Sequence, residues 1–316
     1  MKIHGSAEEV PLPDYRVEDI VAIKLHMGER GNPHYVRPGD VAVLVDRIRS
    51  TGAGVFIGDT TTLYRRKRAT VEDYLETAAL NGFTEDAVGC PVIIADQDGG
   101  RKFGKVEVAD GFLRANSLLV FSHATGHITT GFAGAIKNIS MGCATRDGKR
   151  YIHRPAWPRY DGDKCALCGE CVEACPFDWI SMEDGIELEL KDCPACGRCI
   201  AACKNGGLYR ADGAMEECYR RYAETCSAMM GAFDSVYFVN DLRRITKFCD
   251  CSVDPGPIIS EDIGLIAGRD PVEIDVETVR IITEVSPGAG EIFEEKWRDF
   301  IDGVSAQIER MGGKPH

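Results

Sequence analysis

The sequence predicts an α/β fold: a mostly parallel sheet covered by helices, interrupted by an inserted α+β domain rich in cysteine. Three observations carry this. Residues 20–145 alternate short β-branched runs with helical patterns, as parallel sheets with crossover helices do. The same alternation resumes after residue 212. Between the two lies a stretch that opens on the linker-like R-P-A-W-P-R-Y-D-G-D, residues 154–163, and then holds eight of the 14 cysteines. The predicted domains are a discontinuous core, residues 1–150 with 212–316, and an inserted unit, residues 151–211.

Each element has a local reason. Val21–Leu25 and Val55–Ile57 read as buried strands. Between them Pro38 opens a helix that carries Val41, Leu44, Val45 and Ile48 on one face and stops at Gly52. Thr70 with Asp73 is a capping signal for a second helix, closed by Asn81-Gly82. Val92–Ala95 and Leu118–Phe121 are further strands. Asn205-Gly206-Gly207 leads out of the insertion to a helix over 213–230 and strands at Val236–Val239 and Ile263–Ala267. Asp270-Pro271-Val272-Glu273 starts a helix over 271–284, with proline at its first position. The last helix sets Phe293, Trp297, Phe300, Val304, Ile308 and Met311 on one face.

Inside the insertion, C-A-L-C-G-E-C-V-E-A-C-P is followed by C-P-A-C-G-R-C-I-A-A-C. Each run is C-x2-C-x2-C-x3-C, and every cysteine of the second lies 28 residues after its counterpart, Cys165 to Cys193 through Cys175 to Cys203. Four thiolates hold one 4Fe–4S cluster, and in two-cluster proteins the fourth cysteine of each run ligates the other cluster. The expected sets are Cys165, Cys168, Cys171 and Cys203 for cluster one, and Cys193, Cys196, Cys199 and Cys175 for cluster two. Zinc knuckles share the C-x2-C unit but have no use for a third and fourth cysteine at this spacing, twice. Residues 160–210 thus resemble bacterial-type ferredoxins, and the resemblance implies a ferredoxin-like module with two 4Fe–4S clusters. Lys204 stands where such runs usually carry a second proline.

Bulk properties narrow the function. The net charge of −13 argues against nucleic acid, which needs a basic partner surface. The 44% of hydrophobic residues suffices for a core, and no apolar run approaches the roughly 18 residues of a membrane span. Met1–Val10 is polar and lacks the apolar centre of a signal peptide. With eight cysteines set aside as ligands, a reducing cytoplasm is the expected location, and two such clusters point to an anaerobic host.

The second dense signal is residues 122–149, beginning where Leu118–Phe121 ends, at the strand end where open α/β sheets bind ligands. Gly131 and Gly134 permit close backbone approach, and a helix starting there offers N–H groups to an anion. Thr129, Thr130, Lys137, Arg146 and Lys149 add donors and positive charge, and Asp59, Thr60 and Thr61 are expected to line the same pocket. His123 and His127, four apart, are candidates for proton transfer or, less simply, for a metal. G-F-A-G lacks the spacing and acidic partner of the Rossmann fingerprint, which disfavours nicotinamide. Arg65-Arg66-Lys67-Arg68 reads as a solvated basic face or as a flank of the pocket. Cys143, Cys249 and Cys251 offer a conceivable third metal site, whereas Cys90, Cys218 and Cys226 read as structural.

K-L-H-M-G-E (24–29), G-D-T-T-T-L-Y (58–64), H-I-T-T-G-F-A-G-A-I-K-N-I-S-M-G-C-A-T-R (127–146) and C-D-C with D-I-G-L-I-A-G-R-D-P-V-E-I-D (249–275) resemble an uncharacterised iron–sulfur-centre family, one of the domain-of-unknown-function families. The resemblance implies an α/β core carrying the cluster module, without a settled reaction. Residues 127–146 are also similar to the Gly-Gly-Lys segment of nickel-pincer lactate racemase-like proteins, whose cofactor lysine would match Lys137.

The function expected from these features is an iron–sulfur oxidoreductase. Its clusters would relay low-potential electrons between an external carrier such as ferredoxin and an anionic substrate or redox cofactor of deazaflavin or flavin type. His123, His127 and Lys137 are the candidate catalytic residues. The alternatives are a non-catalytic ferredoxin-like electron-transfer subunit, and an iron–sulfur sensor or assembly factor.

Overall fold

The structure, a computed structural model, describes residues 1–311. Its central sheet contains β1 (Ile20–Leu25), β2 (Gly54–Asp59), β3 (Val92–Ile94), β4 (Ser117–His123), β5 (Ser235–Asp241) and β6 (Leu265–Gly268). Across the sheet the order is β3-β2-β1-β4-β5-β6, and every neighbouring pair is parallel except β5 with β6. The chain builds outward from β1 on one side, then crosses back to place β4 on the other. Such an order reverses between β1 and β4, and the carboxyl ends of those strands diverge around a crevice. All seven residues of β4 are buried, as befits a central parallel strand covered on both faces.

Helices cover both faces. On one side α1 (Pro38–Arg49) and α2 (Val71–Leu80) pack with the N-terminal arm, and α1 buries Val41, Leu44, Val45 and Ile48. The Thr70 hydroxyl accepts the Asp73 N–H at 3.1 Å, so the capping signal of α2 is realised. On the other side lie α3 (Ala135–Ser140), α4 (Arg146–His153), α5 (Ala214–Met230), α6 (Pro271–Val285) and α7 (Pro287–Arg310). Asp270 caps α6 by accepting from the backbone of Val272 and Glu273 at 2.8 and 3.0 Å. No described helix is long and apolar enough to cross a membrane.

Two expectations need correction. The strand expected at Ile263–Ala267 starts at Leu265 and runs antiparallel as the sheet edge. The apolar face of α7 holds from Phe293 to Ile308, but Met311 lies past the helix end and is 40% exposed, because the core has already stopped beneath it. Two hairpins, Gly100–Phe103 with Val106–Ala109 and Thr125–His127 with Gly131–Ala133, have strands too short to show a period of two in sequence.

The cysteine-rich segment forms a small unit with its own apolar cluster of Cys171, Ile180, Ile186, Cys199 and Leu208. It contains two short helices, Glu170–Ala174 and Arg198–Ala202, and the antiparallel pair Ile180–Met182 with Ile186–Leu188. Arg159–Tyr160 pairs with Leu208–Tyr209, which brings the two ends of the segment together.

Candidate functional site

A cavity of about 260 Å³ opens where the strand order reverses. Lys24 reaches it from β1 and His26 from just beyond it, Asp59 from β2 and Thr60 from just beyond it, Ser122 and His123 from β4, and Lys137 and Asn138 from α3. Six cationic side chains line it (Lys24, Arg66, Arg68, Lys137, Lys149 and Arg198) against two carboxylates, Asp59 and Asp250. In a chain of net charge −13, this local excess of positive charge favours an anionic ligand.

The floor is a buried ionic network. Lys24 Nζ sits 2.9 Å from Asp59 Oδ1 and donates to Asn138 Oδ1 at 2.6 Å. The Tyr74 hydroxyl donates to the other Asp59 oxygen. Burial pushes the Asp59 carboxyl up, but Lys24, His26 and the Tyr74 hydroxyl outweigh it and hold the group below the usual range. Arg68 is 1% exposed, so the basic run is not simply a solvated face. Its guanidinium donates to Glu29 at 3.1 Å and to the Tyr64 hydroxyl at 2.6 Å, and one nitrogen lies 2.7 Å from His26 Nε2.

The wall facing this floor carries the groups able to move protons. His127 Nδ1 accepts from the backbone of Thr129 and Thr130 at 3.3 and 3.2 Å, which leaves Nε2 to carry the proton. Burial, with Lys137 nearby, drives the His127 pKa far down, so the ring is neutral. His153 is pushed down to about 3 by burial and by Lys137, and its Nδ1 has no hydrogen-bond partner. His123 Nε2 is 2.9 Å from the Arg243 carbonyl, while its buried Nδ1 and the Tyr222 hydroxyl are likewise unpartnered. Burial lowers Lys137 to about 8 and Lys149 to about 8. Lys149 is held by the Thr60 hydroxyl and the Ala144 carbonyl.

Of the residues expected at this site, Asp59, Thr60, His123, His127, Thr129, Gly134, Lys137 and Lys149 line the cavity. Thr61 turns aside to Asp96, and Thr130 bonds to the Phe132 carbonyl at 2.7 Å. Arg146 ties α4 to the carbonyls of Thr62 and Leu63 and to Asp192. The anion expected at the start of α3 is the protein's own: Asp275 accepts the Ala135 and Ile136 N–H groups at 2.7 and 2.9 Å. A Cβ on Gly131 would stand 2.5 Å from the Phe293 carbonyl oxygen, and one on Gly134 2.4 Å from Asp275 Oδ1. Both glycines therefore serve internal packing. Lys24, His26, His153, Tyr222 and Asp250 were not expected. The one local signal for them is Lys24, a charge near the end of an otherwise apolar strand.

Cys165, Cys168, Cys171 and Cys203 surround one smaller cavity of about 120 Å³, and Cys175, Cys193, Cys196 and Cys199 surround another. Leu167 and Ala195, at matching places in the two runs, both adopt a left-handed backbone with φ of 51° and 52°. Their N–H groups thereby donate to Cys165 Sγ and Cys193 Sγ, each at 3.4 Å. Among the described residues no group of three or more His, Cys, Asp or Glu side chains is spaced for a single metal ion. The conceivable third metal site is not assembled: Cys143 is buried away from the cavity, and Cys249 and Cys251 are joined as a disulfide.

Fold and site define an α/β protein with a cationic cavity at its sheet reversal and a cysteine-rich unit alongside. Residues 21–280 match the family described as "Domain of unknown function (DUF362)", and the chain belongs to that family. No curated protein matches the chain in sequence. A solved structural-genomics protein from Thermotoga maritima is similar at 10% identity and a TM-score of 0.36, over 91% of this chain and 54% of that one. The chain thus spans about half the length of that structure.

Proposed function

We propose that the chain is an iron–sulfur oxidoreductase that exchanges low-potential electrons between an external one-electron carrier, such as ferredoxin, and an anionic ligand in the cavity at the sheet reversal. One observation carries the reading: the cavity of the second cysteine quartet and the ligand cavity share a wall. Pro176, Phe177, Pro194, Cys196 and Arg198 line both. A redox group held by Cys175, Cys193, Cys196 and Cys199 would therefore border the ligand directly.

The residues fit two 4Fe–4S clusters. Three observations support this: all eight cysteines are free thiols, they line two cavities four and four, with Cys203 beside the first run and Cys175 beside the second, and backbone N–H groups donate to the sulfurs of Cys165, Cys193 and Cys203. A cube with iron at four corners holds its thiolates farther apart than a single ion does, in keeping with cysteines that, among the described residues, are not spaced for one ion. Bound clusters would supply single-electron transfer.

The remaining work belongs to the chain's own side chains. Lys137 and Lys149 hold the anion, with Arg66 and Arg198 at the module side. His127, neutral with its proton on Nε2, is a donor to the ligand, and Lys137, at about 8, can take up or release a proton near neutrality. A flavin or deazaflavin suits a site that couples single electrons to a two-electron reaction. The test is an anaerobic screen of redox cofactors against the iron-loaded protein by absorbance, repeated on Lys137→Ala and His127→Ala. The reading expects one cofactor's spectrum to shift and the variants to lose turnover while keeping their iron. A non-catalytic electron carrier would be indifferent to both substitutions.

A further inference from the structure

Cys249 and Cys251 flank Asp250 on the wall of the cavity that Cys196 also lines. They form a disulfide across a single intervening residue. A cross-link stabilises mainly by constraining the unfolded chain, and least when the loop is short, so this one does little for the fold. The loop is nevertheless fixed from outside. Glu29 N–H donates to the Asp250 carbonyl at 3.1 Å, and the Tyr64 hydroxyl and Arg68 guanidinium donate to the Cys251 carbonyl at 3.3 and 3.4 Å. Cys249 is buried and Cys251 half-buried, and both line the cavity. His26 Nδ1 and His123 Nδ1 lie 3.3 and 3.9 Å from Asp250 Oδ2, which places two imidazoles beside the pair.

We infer that the Cys249–Cys251 disulfide is a redox-active group of the cavity, a two-electron acceptor filled from the side of the second cysteine quartet; this rests on the electron-transfer reading above. The step balances as one S–S bond broken and two S–H bonds formed, with two electrons and two protons consumed. The electrons come singly from a low-potential one-electron donor, and the protons enter through the histidines beside Asp250. The dithiol then holds two electrons next to whatever anion the cavity binds.

The experiment titrates the iron-loaded full-length chain anaerobically with reduced methyl viologen, then labels thiols with N-ethylmaleimide under denaturing conditions and maps them by mass. With one electron per cluster and two for the disulfide, wild type takes up about four electrons per chain and the Cys249→Ser/Cys251→Ser double variant about two, with equal iron. Both cysteines in the 249–251 peptide label after reduction and neither before it. Equal uptake by wild type and variant overturns the inference, as does a pair that labels before reduction or opens as fast in iron-free protein. A chain that binds no iron overturns this inference and the electron-transfer reading together. An iron-loaded, reducible chain with a silent cysteine pair overturns this inference alone.

Discussion

Lys24 Nζ lies 2.9 Å from Asp59 Oδ1, an ion pair withdrawn from water at the carboxyl ends of β1 and β2. Lys24 pairs across β1 and β2 with Gly58, the residue before Asp59, and the ion pair forms the floor on which any ligand would rest. Removing one partner leaves a buried charge without its counter-ion. Lys24→Met is expected to lower unfolding stability by about 3–5 kcal/mol, measured by urea denaturation. Adding Asp59→Asn to that variant should recover part of the loss, because the orphaned charge is then gone.

Lys137 sets the expected pH dependence of anion binding. Burial lowers its pKa to about 8, so its ammonium is charged below that value and neutral above it. Affinity for an anionic probe such as FMN is expected to fall as pH rises through about 8, followed by fluorescence titration. Lys137→Gln should weaken binding near neutral pH by about tenfold, the worth of one charged hydrogen bond. Its remaining slope would belong to Lys149, also near 8.

Asp275 supplies a separate, structural pH signature. Burial raises its pKa to about 6 in the folded chain, above the roughly 3.9 of an unfolded aspartate. The folded state therefore holds the proton more tightly, and this contribution to stability falls as pH rises from about 4 to about 6, then levels off. Asp275→Ala should remove that slope. It should also cost about 2 kcal/mol or more, since the Ala135 and Ile136 N–H groups lose their acceptor. Thermal melts across that pH range check both effects.

Much of this arrangement was legible in the residues. The strands and helices with strong periods, such as Val21–Leu25 and the face of α1, stand where the sequence puts them. The duplicated spacing leads one to expect Cys203 beside the first run, although Cys175 and Cys203 close the short helices Glu170–Ala174 and Arg198–Ala202 rather than beginning helices. What escaped was set by tertiary contact. Nothing local tells that the start of α3 is capped by Asp275, more than a hundred residues away. Nor does the run Arg65–Arg68 announce that Arg68 turns inward to Glu29 while Arg65 and Lys67 stay exposed. Lys24 and Asp250 meet at one cavity only because the sheet reverses between β1 and β4.

The central claim is that two 4Fe–4S clusters sit in the exchanged cysteine sets, one of them against the ligand cavity. Iron and acid-labile sulfide analysis of anaerobically purified protein tests it most directly. About eight iron atoms per chain are expected, falling to about four in Cys196→Ser, with the spectrum of the remaining cluster unchanged. A colourless preparation that holds only zinc, even when made without oxygen, would contradict the account.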